Sequence, residues 1–534
     1  GTAGIAAVGA NGKVEIDNAG PMSVYAESTA GSQVATLFVN GGGQLFIHNG
    51  GDDAESKILT LRGKTTNSTN GAIIKSMNGA TGERSWLKVD GMVDIEADTT
   101  DGVGMAEGLS AVASTIEVGG GRIIMSASGV NPGVSFGDNA TNCAIRAYGE
   151  FVSPNYGIVN VNVIKDEDTA AGKAIAAGNN RTQINGNFNT VGGMGTKGTI
   201  NVGLNTADSY WIGNYINGAG WGVTPGDYGS VNLFMGNGAQ WKGYSKFATN
   251  VKMDSGASWE GYSINKAVSA TIKNGATWYN NNTPEIGKDG HDTTLKALRG
   301  GASIAEAGFV DMTTEGVRDT SVDNYSGNTK LIYKRDADAP TTVLGGNFTV
   351  GNAEKGSYIS LLTNDSGLNL NNNTVVSETL GNLANKLYYT GAMTGEGNIT
   401  SFVSINDALK GDSTNKRVGS VIFDETTGQG KLDWVAEKAQ TKLAYTDAIT
   451  GNIDTNINYV KDGVLDIESK EYSFTKKTTN LTVDNHNIPG GPWIAGIGAA
   501  VSGAAGTNTQ INLNGNSMNV TGIANSHSTG IAAI

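Results

Sequence analysis

The chain has 534 residues, of which 78 are glycine and 8 are proline, and its formal net charge is −13. Glycine is enriched without a strict Gly-x-y period, which excludes collagen, and a hydrophobic share of 38% is too high for a disordered chain. No basic run is longer than Lys476-Lys477, so nucleic acids and anionic membranes are poor partners. Short apolar stretches among Asn, Thr, Ser and Gly predict an all-β protein with many short strands.

Strand-like segments of one kind recur along the first part of the chain. Each segment reads glycine, any residue, apolar, any residue, apolar, and this alternation places both apolar side chains on one face of a strand. Four copies lie at 12–16, 43–47, 91–95 and 198–202. They predict short strands that each bury one face in a common core.

A more regular repeat follows over 231–280 and carries Trp241, Trp259 and Trp278 at nearly equal intervals. A strand with alternating apolar residues precedes each tryptophan and ends in a turn pair that contains glycine, a residue that tolerates left-handed backbone. The pairs are Asn237-Gly238, Ser255-Gly256 and Asn274-Gly275. This repeat length suits one coil of a parallel β-helix, and we predict about 25 coils stacked about 4.8 Å apart. The three tryptophans are expected to stack in the core.

Four aromatic residues lie just before this repeat, among asparagines and glycines: Tyr210, Trp211, Tyr215 and Trp221. Flat aromatic rings stack on the C–H surfaces of sugars, and the polar tips of tyrosine and tryptophan bind hydroxyl groups. These four residues are therefore candidate ligand-binding residues on an exposed sugar platform. The alternative is that they belong to the core, as the three repeat tryptophans do.

Helical spacing is confined to the later part of the chain. The stretch 378–389 has leucines at the intervals that bring side chains onto one face of a helix, which predicts a short helix. Ser404 precedes a second such stretch in the manner of an N-cap, which predicts another short helix there. Both helices are expected to protrude from the coils or to pack on them.

The repeat also carries a family resemblance. The segment 274–278, Asn-Gly-Ala-Thr-Trp, resembles the strand–turn–strand repeat of passengers in the AIDA, pertactin and antigen-43-like group of Gram-negative autotransporters. A second set of segments is similar to a module of large autotransporter passengers from anaerobic and oral bacteria. It comprises 300–308, 324–327, 331–333, 360–363, 383–391 and 423–430. Together the two matches cover roughly 230–435.

The resemblance implies a right-handed parallel β-helix, a solenoid with short helical or hairpin excursions. It divides the chain into a β-helix over 1–290 with Gly-Ala-x-Trp repeats near its end, a passenger module over 291–445 that continues the helix with excursions, and further truncated coils over 446–534. It also implies an extracellular location at the surface of a Gram-negative bacterium, with an outer-membrane barrel outside this sequence as the anchor. The single cysteine, Cys143, is consistent with export as an unfolded thread.

The function implied by the resemblance is that of a cell-surface adhesin. Its partners would be host cells, matrix, glycans or surface proteins, or identical passengers on neighbouring cells, with self-association and biofilm formation as the result. No nucleic acid and no direct membrane insertion are expected. The family motif is structural, so the resemblance transfers no catalytic residue to this sequence.

Catalytic and metal-binding patterns were sought as the competing interpretation. The four histidines lack zinc-ligand spacing, and Asp254-Ser-Gly256 lacks the fuller signature of a serine protease. Acid pairs such as Asp94 with Glu96, or Asp166 with Asp168, are better explained as solvated surface groups. We therefore expect no enzyme activity, no catalytic residue, no metal and no cofactor. Two alternatives stay open: a β-helical enzyme that degrades polysaccharides, and a glycan-binding protein of the phage-tailspike kind.

Overall fold

The structure is a computed structural model. It describes residues 2–18, 20–28, 34–51, 54–65, 71–78, 83–98, 107–126, 143–149, 155–190, 198–217, 229–287, 289–303, 305–354, 357–363, 373–391, 400–405, 417–424, 426–435, 442–447, 451–455, 460–461, 464–465, 478–484, 494–495, 517–523 and 531–532. The chain divides into two compact units, Gly1–Leu298 and Arg299–Ile534. The domain boundaries expected at 290 and 445 stay predictions.

Where the structure describes it, the first unit is built from short strands and one 3₁₀ turn, Ala54–Lys57. In chain order the strands are β1 (Thr2–Val8), β2 (Lys13–Asp17), β3 (Met22–Ser28), β4 (Val34–Asn40), β5 (Gln44–His48), β6 (Leu59–Thr65), β7 (Ala72–Met77), β8 (Trp86–Val89), β9 (Val93–Asp98), β10 (Glu107–Val112), β11 (Thr115–Val118), β12 (Gly121–Ser126), β13 (Cys143–Tyr148), β14 (Gly157–Val161), β15 (Val163–Lys165), β16 (Ala174–Ala177), β17 (Thr182–Asn185), β18 (Phe188–Asn189), β19 (Gly198–Leu204), β20 (Tyr210–Ile212), β21 (Tyr215–Asn217), β22 (Ser230–Met235), β23 (Gln240–Lys242), β24 (Thr249–Met253), β25 (Ser258–Gly261), β26 (Val268–Ile272), β27 (Thr277–Asn280) and β28 (Thr293–Arg299).

Three sheets wind through this unit, and every third strand returns to the same sheet over most of its length. The first sheet has the order β1-β4-β7-β10-β13-β18-β21. The second runs β2-β5-β8-β11-β14-β19-β22-β24-β26, and the third runs β3-β6-β9-β12-β17-β20-β23-β25-β27. Neighbouring strands pair in parallel, for example β22 with β24 and β23 with β25. This is the winding of a parallel β-helix, so the predicted fold class is confirmed.

The coils differ in length, which corrects one sequence prediction. In the second sheet Val231 pairs with Thr249, so a coil there has the length that the tryptophan repeat predicts. Earlier in the same sheet Leu45 pairs with Leu87, so the coil between them is more than twice as long. The estimate of about 25 coils assumed the short length throughout and was wrong for this part. Longer connections between strands account for the difference.

Apolar and polar residues alternate along the strands, and this explains why each strand buries one of its two faces. In the third sheet, one inward column contains Leu61, Ile95, Ile123, Ile184 and Trp211, and each of these side chains is 0% exposed. The residues between them face outward and are mostly polar, with Ile124 and Ile212 as apolar exceptions. The predicted turn pairs have left-handed backbone at both residues, with φ of 50° at Asn237, 79° at Gly238, 48° at Ser255, 76° at Gly256, 51° at Asn274 and 77° at Gly275. Asparagine and glycine are the residues that adopt this conformation most readily.

Among its described residues, the second unit contains the remaining strands and one α-helix. These are β29 (Gly308–Asp311), β30 (Thr320–Ser326), β31 (Asn328–Arg335), β32 (Val343–Leu344), β33 (Phe348–Ala353), β34 (Tyr358–Thr363), α1 (Asn373–Ala384), β35 (Leu387–Tyr389), β36 (Thr400–Ile405), β37 (Arg417–Phe423), β38 (Gly430–Val435), β39 (Lys442–Asp447), β40 (Gly451–Thr455), β41 (Val460–Lys461), β42 (Val464–Leu465), β43 (Thr478–Asp484), β44 (Ile494–Ala495), β45 (Ser517–Ile523) and β46 (Ile531–Ala532).

Parallel pairing continues through the early part of the second unit. The orders β30-β33-β35 and β29-β31-β34-β36 are parallel, whereas β37 pairs antiparallel with both β36 and β38. Farther on, β39 pairs antiparallel with β40 and β43, and β43 pairs in parallel with β45. Hairpin pairing therefore interrupts the parallel winding at 417–435.

The helix predictions were partly right. Helix α1 covers the first part of the predicted stretch 378–389, but that stretch ends as strand β35, in which Leu387 is the register partner of Phe348. Ser404 lies in strand β36, so the helix predicted to begin there was wrong at this residue. The rest of that prediction, 406–416, lies outside the described residues.

Candidate binding face on the third sheet

A column of aromatic rings fills the interior behind the later strands of the third sheet. Phe188, Trp211, Trp241, Trp259 and Trp278 stack with centroid separations of 3.9, 4.9, 4.7 and 5.0 Å and interplanar angles of 4°, 5°, 5° and 11°. All five side chains are at most 1% exposed. The prediction that the repeat tryptophans stack in the core is confirmed. We call these five residues the aromatic column.

Each indole of the aromatic column is also anchored by a hydrogen bond to the preceding coil. Nε1 of Trp211, Trp241, Trp259 and Trp278 donates to the carbonyl oxygens of Gly186, Gly213, Gly243 and Gly261, at 2.9, 3.1, 3.0 and 2.9 Å. A buried indole N–H without an acceptor is costly, so these glycine carbonyls allow tryptophan to occupy the core. The indole therefore ties each coil to its neighbour by stacking and by a hydrogen bond.

The structure describes three of the four residues of the predicted sugar platform and buries two of them. Trp211 and Tyr215 are both 0% exposed, and the Tyr215 hydroxyl lies 2.6 Å from Thr190 Oγ1. Burial raises the pKa of the Tyr215 hydroxyl well above its usual range. The prediction that Trp211 and Tyr215 form an exposed platform was therefore wrong, and the core alternative holds for both. Trp221 lies outside the described residues.

Tyr210 remains available because neighbouring residues of a strand point to opposite faces. It lies one position before the buried Trp211 and is partly exposed on the outer side of the third sheet. Its register partners are Gln183 on the preceding coil and Gln240 on the following one. The sequence interpretation had placed Tyr210 and Trp211 on one surface, and strand alternation excludes that arrangement.

The outward residues of these strands form two rows, and Tyr210 belongs to the first of them. Neighbouring residues of a row lie on successive coils, about 4.8 Å apart. One row comprises Gln183, Tyr210, Gln240, Ser258 and Thr277, and the other comprises Asn185, Ile212, Lys242, Glu260 and Tyr279. We call these ten residues the third-sheet face. Its two charged members pair with each other, with Lys242 Nζ 3.3 Å from Glu260 Oε2. The face therefore has no net charge. In the sequence, the first row is marked by the residue that precedes each repeat tryptophan: Gln240, Ser258 and Thr277. Because these residues alternate with buried tryptophans, they face outward, which the sequence interpretation did not include.

Earlier coils of the same sheet carry charges in the equivalent outward rows. Arg62 lies 3.0 Å from Asp94 and 3.8 Å from Glu96, and Arg122 lies 3.1 Å from Asp94 and 3.4 Å from Glu96. Two arginines and two carboxylates thus balance one another. The acids that the sequence interpretation assigned to surface solvation, Asp94 and Glu96, are members of this ionic network.

The second sheet presents a row of amides. Asn201 Nδ2 donates to Asn160 Oδ1 at 2.7 Å, Asn232 to Asn201 at 2.7 Å, and Asn250 to Asn232 at 2.8 Å. The donors and acceptors all run in the same direction along the row, an arrangement in which hydrogen bonds polarise one another. Exposure rises along it, from Asn160 at 2% to the exposed Asn250.

A hairpin formed by β15 and β16 folds over the earlier part of the second sheet. Lys165 Nζ lies 2.6 Å from Glu117 Oε1, and Lys88 Nζ lies 2.8 Å from Asp168 Oδ1. Thr115 Oγ1 donates to Ala170 O at 2.7 Å. Asp168 is therefore an anchor of the hairpin and not a free loop tip.

Asn162 closes the base of this hairpin. Its Nδ2 donates to the carbonyl oxygens of Asn180 at 2.7 Å and Gly203 at 3.0 Å, and its Oδ1 accepts from Asn180 N at 3.2 Å. The residue is 4% exposed and has left-handed backbone, with φ of 51°. Asparagine serves here because it combines a tolerated left-handed conformation with an amide that reaches four backbone groups, the fourth being Gly178 O at 3.4 Å.

We expect Asn162→Ala to lower the free energy of unfolding by about 2–3 kcal/mol, because it leaves buried backbone groups without partners. Asn265→Ala is the matched control, since Asn265 is exposed and also left-handed, with φ of 59°. The measurement is the chemical unfolding midpoint of each variant. Equal losses in the two variants would show that the backbone conformation, and not the amide, accounts for the effect.

His48 bridges two coils of the second sheet. Its Nδ1 lies 2.6 Å from Asp90 Oδ2, and its Nε2 lies 3.2 Å from Glu15 Oε1. Hydrogen bonds to Asp90 and then to Glu15 raise the pKa of the His48 imidazole above its ordinary value. Lys13 lies 2.9 Å from Glu15, and Lys88 lies 3.5 Å from Asp90, so each carboxylate also faces a lysine.

A raised imidazole pKa in the folded state predicts a specific pH dependence. The stabilisation from charged His48 is fully present below the imidazole's ordinary pKa and is lost as pH rises through the raised value in the folded protein. We expect the melting temperature to fall as the pH rises above the ordinary imidazole pKa of about 6.5, and His48→Gln to flatten this slope. An unchanged slope in His48→Gln would assign the pH dependence to other groups.

Neither metal ligands nor a membrane helix could be identified in the part of the chain that the structure describes. Within those residues, no three His, Cys, Asp or Glu side chains are grouped so that they could hold a metal ion. Among the same residues, no helix is long and apolar enough to cross a membrane.

Comparison with known proteins yields a structural likeness. No protein-family model matches the sequence, and no curated protein matches it significantly. Among solved structures, the chain is similar to the crystal structure of the autotransporter UpaB from E. coli strain CFT073, with 11% sequence identity and a TM-score of 0.38. The alignment covers 81% of this chain and 85% of UpaB. At this identity and TM-score the likeness assigns no role to any residue of the third-sheet face.

Proposed function

We propose that this protein is a cell-surface adhesin, displayed outside a Gram-negative bacterium, which acts by binding and not by catalysis. The observation that carries the proposal is the third-sheet face, on which side chains that form hydrogen bonds repeat coil after coil on a rigid sheet. Such a surface can make many weak contacts at once, and linked weak contacts produce strong attachment. The exposed end of the amide row of the second sheet, at Asn232 and Asn250, adds further donors and acceptors.

The partners we propose are host cells, matrix, glycans or surface proteins, or identical chains on neighbouring bacteria. Both kinds of partner suit a surface whose hydrogen-bonding groups recur at a fixed spacing. The sequence resemblance to autotransporter passengers over roughly 230–435 supports the same function. Electrostatics contribute little on the third-sheet face, because its one lysine and one glutamate pair with each other.

Bead attachment tests this proposal. Beads coated with the purified chain should bind to cultured host cells, or should aggregate with one another, and beads coated with the heat-denatured chain should do neither. Host-cell attachment and bead–bead aggregation would separate the two kinds of partner. Beads that show neither behaviour would contradict the proposed function.

A further inference from the structure

We propose that the third-sheet face binds a neutral polysaccharide chain, with Tyr210 as its stacking ring. This inference rests on the proposed adhesin function and specifies the ligand class and the site. The four residues first suggested as a sugar platform included only one outward ring that the structure describes. The residues now assigned are Tyr210, its register partners Gln183 and Gln240, and the hydroxyl residues Ser258 and Thr277 on the next two coils.

The chemistry of this row matches that of sugar hydroxyls. A sugar hydroxyl both donates and accepts hydrogen bonds, and so do glutamine amides and the hydroxyls of serine, threonine and tyrosine. Gln240 is exposed, and Gln183, Tyr210, Ser258 and Thr277 are partly exposed. Gln183 Nε2 donates to Asp208 O at 3.1 Å, which fixes the direction of its amide. The row therefore offers polar groups to a neutral ligand, and the amide of Gln183 among them is held in a fixed direction.

Apolar surface lies beside these polar groups. Ile212 is two positions after Tyr210 and shares its outward face, and Tyr279 at the last coil of the face is 43% exposed. The C–H faces of pyranose rings pack on such surfaces while their hydroxyls reach the neighbouring amides. The second row also holds Asn185 and the Lys242–Glu260 ion pair, and its apolar side chains are Ile212 and the ring of Tyr279. Apolar side chains next to polar ones suit an amphipathic sugar chain.

The charge balance favours a neutral ligand over an acidic one. Lys242 is the only cation among the ten residues of the third-sheet face, and its ammonium group lies 3.3 Å from Glu260. Glu260 Oε1 also accepts from Asn281 Nδ2 at 3.0 Å. A sulfated or carboxylated sugar would have to compete with this carboxylate for the lysine, whereas a neutral sugar would not.

The aromatic column makes the face rigid. Trp211, Trp241, Trp259 and Trp278 each lie one position after a residue of the outward row, and stacking fixes the strands that carry it. A pre-ordered surface loses less conformational entropy on binding than a flexible one. The coil spacing of about 4.8 Å also repeats the contact along the sheet, so a polymer should bind more tightly than a single sugar.

The test uses the purified chain on an array of neutral and acidic oligosaccharides, followed by calorimetric titration with the neutral oligosaccharide that gives the strongest signal. We expect neutral glycans to bind, with affinity nearly independent of salt between about 0.05 and 0.5 M. Tyr210→Ala should weaken binding at least about tenfold. Tyr25→Ala is the matched control, because Tyr25 is 58% exposed on strand β3 of the same sheet, away from the face.

Two further variants keep the test decisive if Tyr210→Ala is poorly folded. Tyr210→Phe keeps the ring and should retain most of the affinity, while Gln240→Ala removes an exposed amide and should weaken binding several-fold. Binding confined to sulfated or carboxylated glycans would overturn the inference, as would equal affinities in Tyr210→Ala and Tyr25→Ala. Coated beads that attach to cells while the array shows no glycan binding would overturn the inference and leave the adhesin function standing. Failure of both cell attachment and bead–bead aggregation would overturn the proposed function.

Discussion

Trp259→Ala is expected to lower the free energy of unfolding by about 3–5 kcal/mol. The indole lies in the middle of the aromatic column, with ring centroids 4.7 Å from Trp241 and 5.0 Å from Trp278. Its removal opens a cavity, breaks two stacking contacts and leaves the carbonyl oxygen of Gly243 without the indole N–H that lies 3.0 Å away. The measurement is the denaturant midpoint of the purified variant.

Tyr279→Ala is the control for this prediction, because Tyr279 lies next to the column residue Trp278 but is 43% exposed. We expect its effect to stay within about 0.5 kcal/mol. Trp259→Phe should fall between the two, since it retains a stacking ring and loses only the N–H and part of the ring area. A Trp259→Ala variant as stable as Tyr279→Ala would mean that the column contributes nothing to stability.

Gly261→Ala should be at least as damaging, with an expected loss of about 4 kcal/mol or more. A Cβ at this position would overlap the carbonyl oxygen of Gly243 and approach the indole nitrogen of Trp259. The same carbonyl oxygen accepts the Trp259 hydrogen bond, so a shift that relieves the overlap also disturbs the aromatic column. Close approach of successive coils therefore requires glycine here.

Two other glycines separate the causes of this effect. Gly261 and Gly256 both have positive φ, 153° at Gly261 and 76° at Gly256, but a Cβ at Gly256 would meet nothing within 4 Å. Gly256→Ala therefore reports the cost of a positive φ without a clash, about 1 kcal/mol. Gly20→Ala has neither feature, and we expect almost no change in the unfolding midpoint. If Gly261→Ala and Gly256→Ala lose equal stability, the clash with the neighbouring coil is not the cause.

Local spacing was sufficient to predict the later coils of the first unit. Over 231–280 the strand, turn pair and tryptophan recur at nearly equal intervals, so each coil is short and resembles its neighbours. In such a repeat, the inward or outward direction of one residue also holds for its counterparts one coil away. The burial of Trp241, Trp259 and Trp278 followed from that regularity.

The predicted binding residues failed where the repeat becomes irregular. Tyr210 and Trp211 lie among asparagines and glycines, and without a recognised strand no local pattern places them on opposite faces. The structure forms strand β20 at Tyr210–Ile212 because these residues pair with β17 and β23. So short a segment has too little propensity to form a strand alone, and only the neighbouring coils supply the hydrogen bonds.

Alternation and a short period were enough to establish the all-β class, the solenoid winding and the core position of the repeat tryptophans. The lengths of the early coils, the hairpin over the second sheet and the members of the third-sheet face became visible only in the folded chain. These features depend on which strands pair across long connections, such as the one that separates Ile116 from its register partner Val159. Loop closure costs only slightly more as a connection lengthens, so local sequence places little restriction on where the next coil begins.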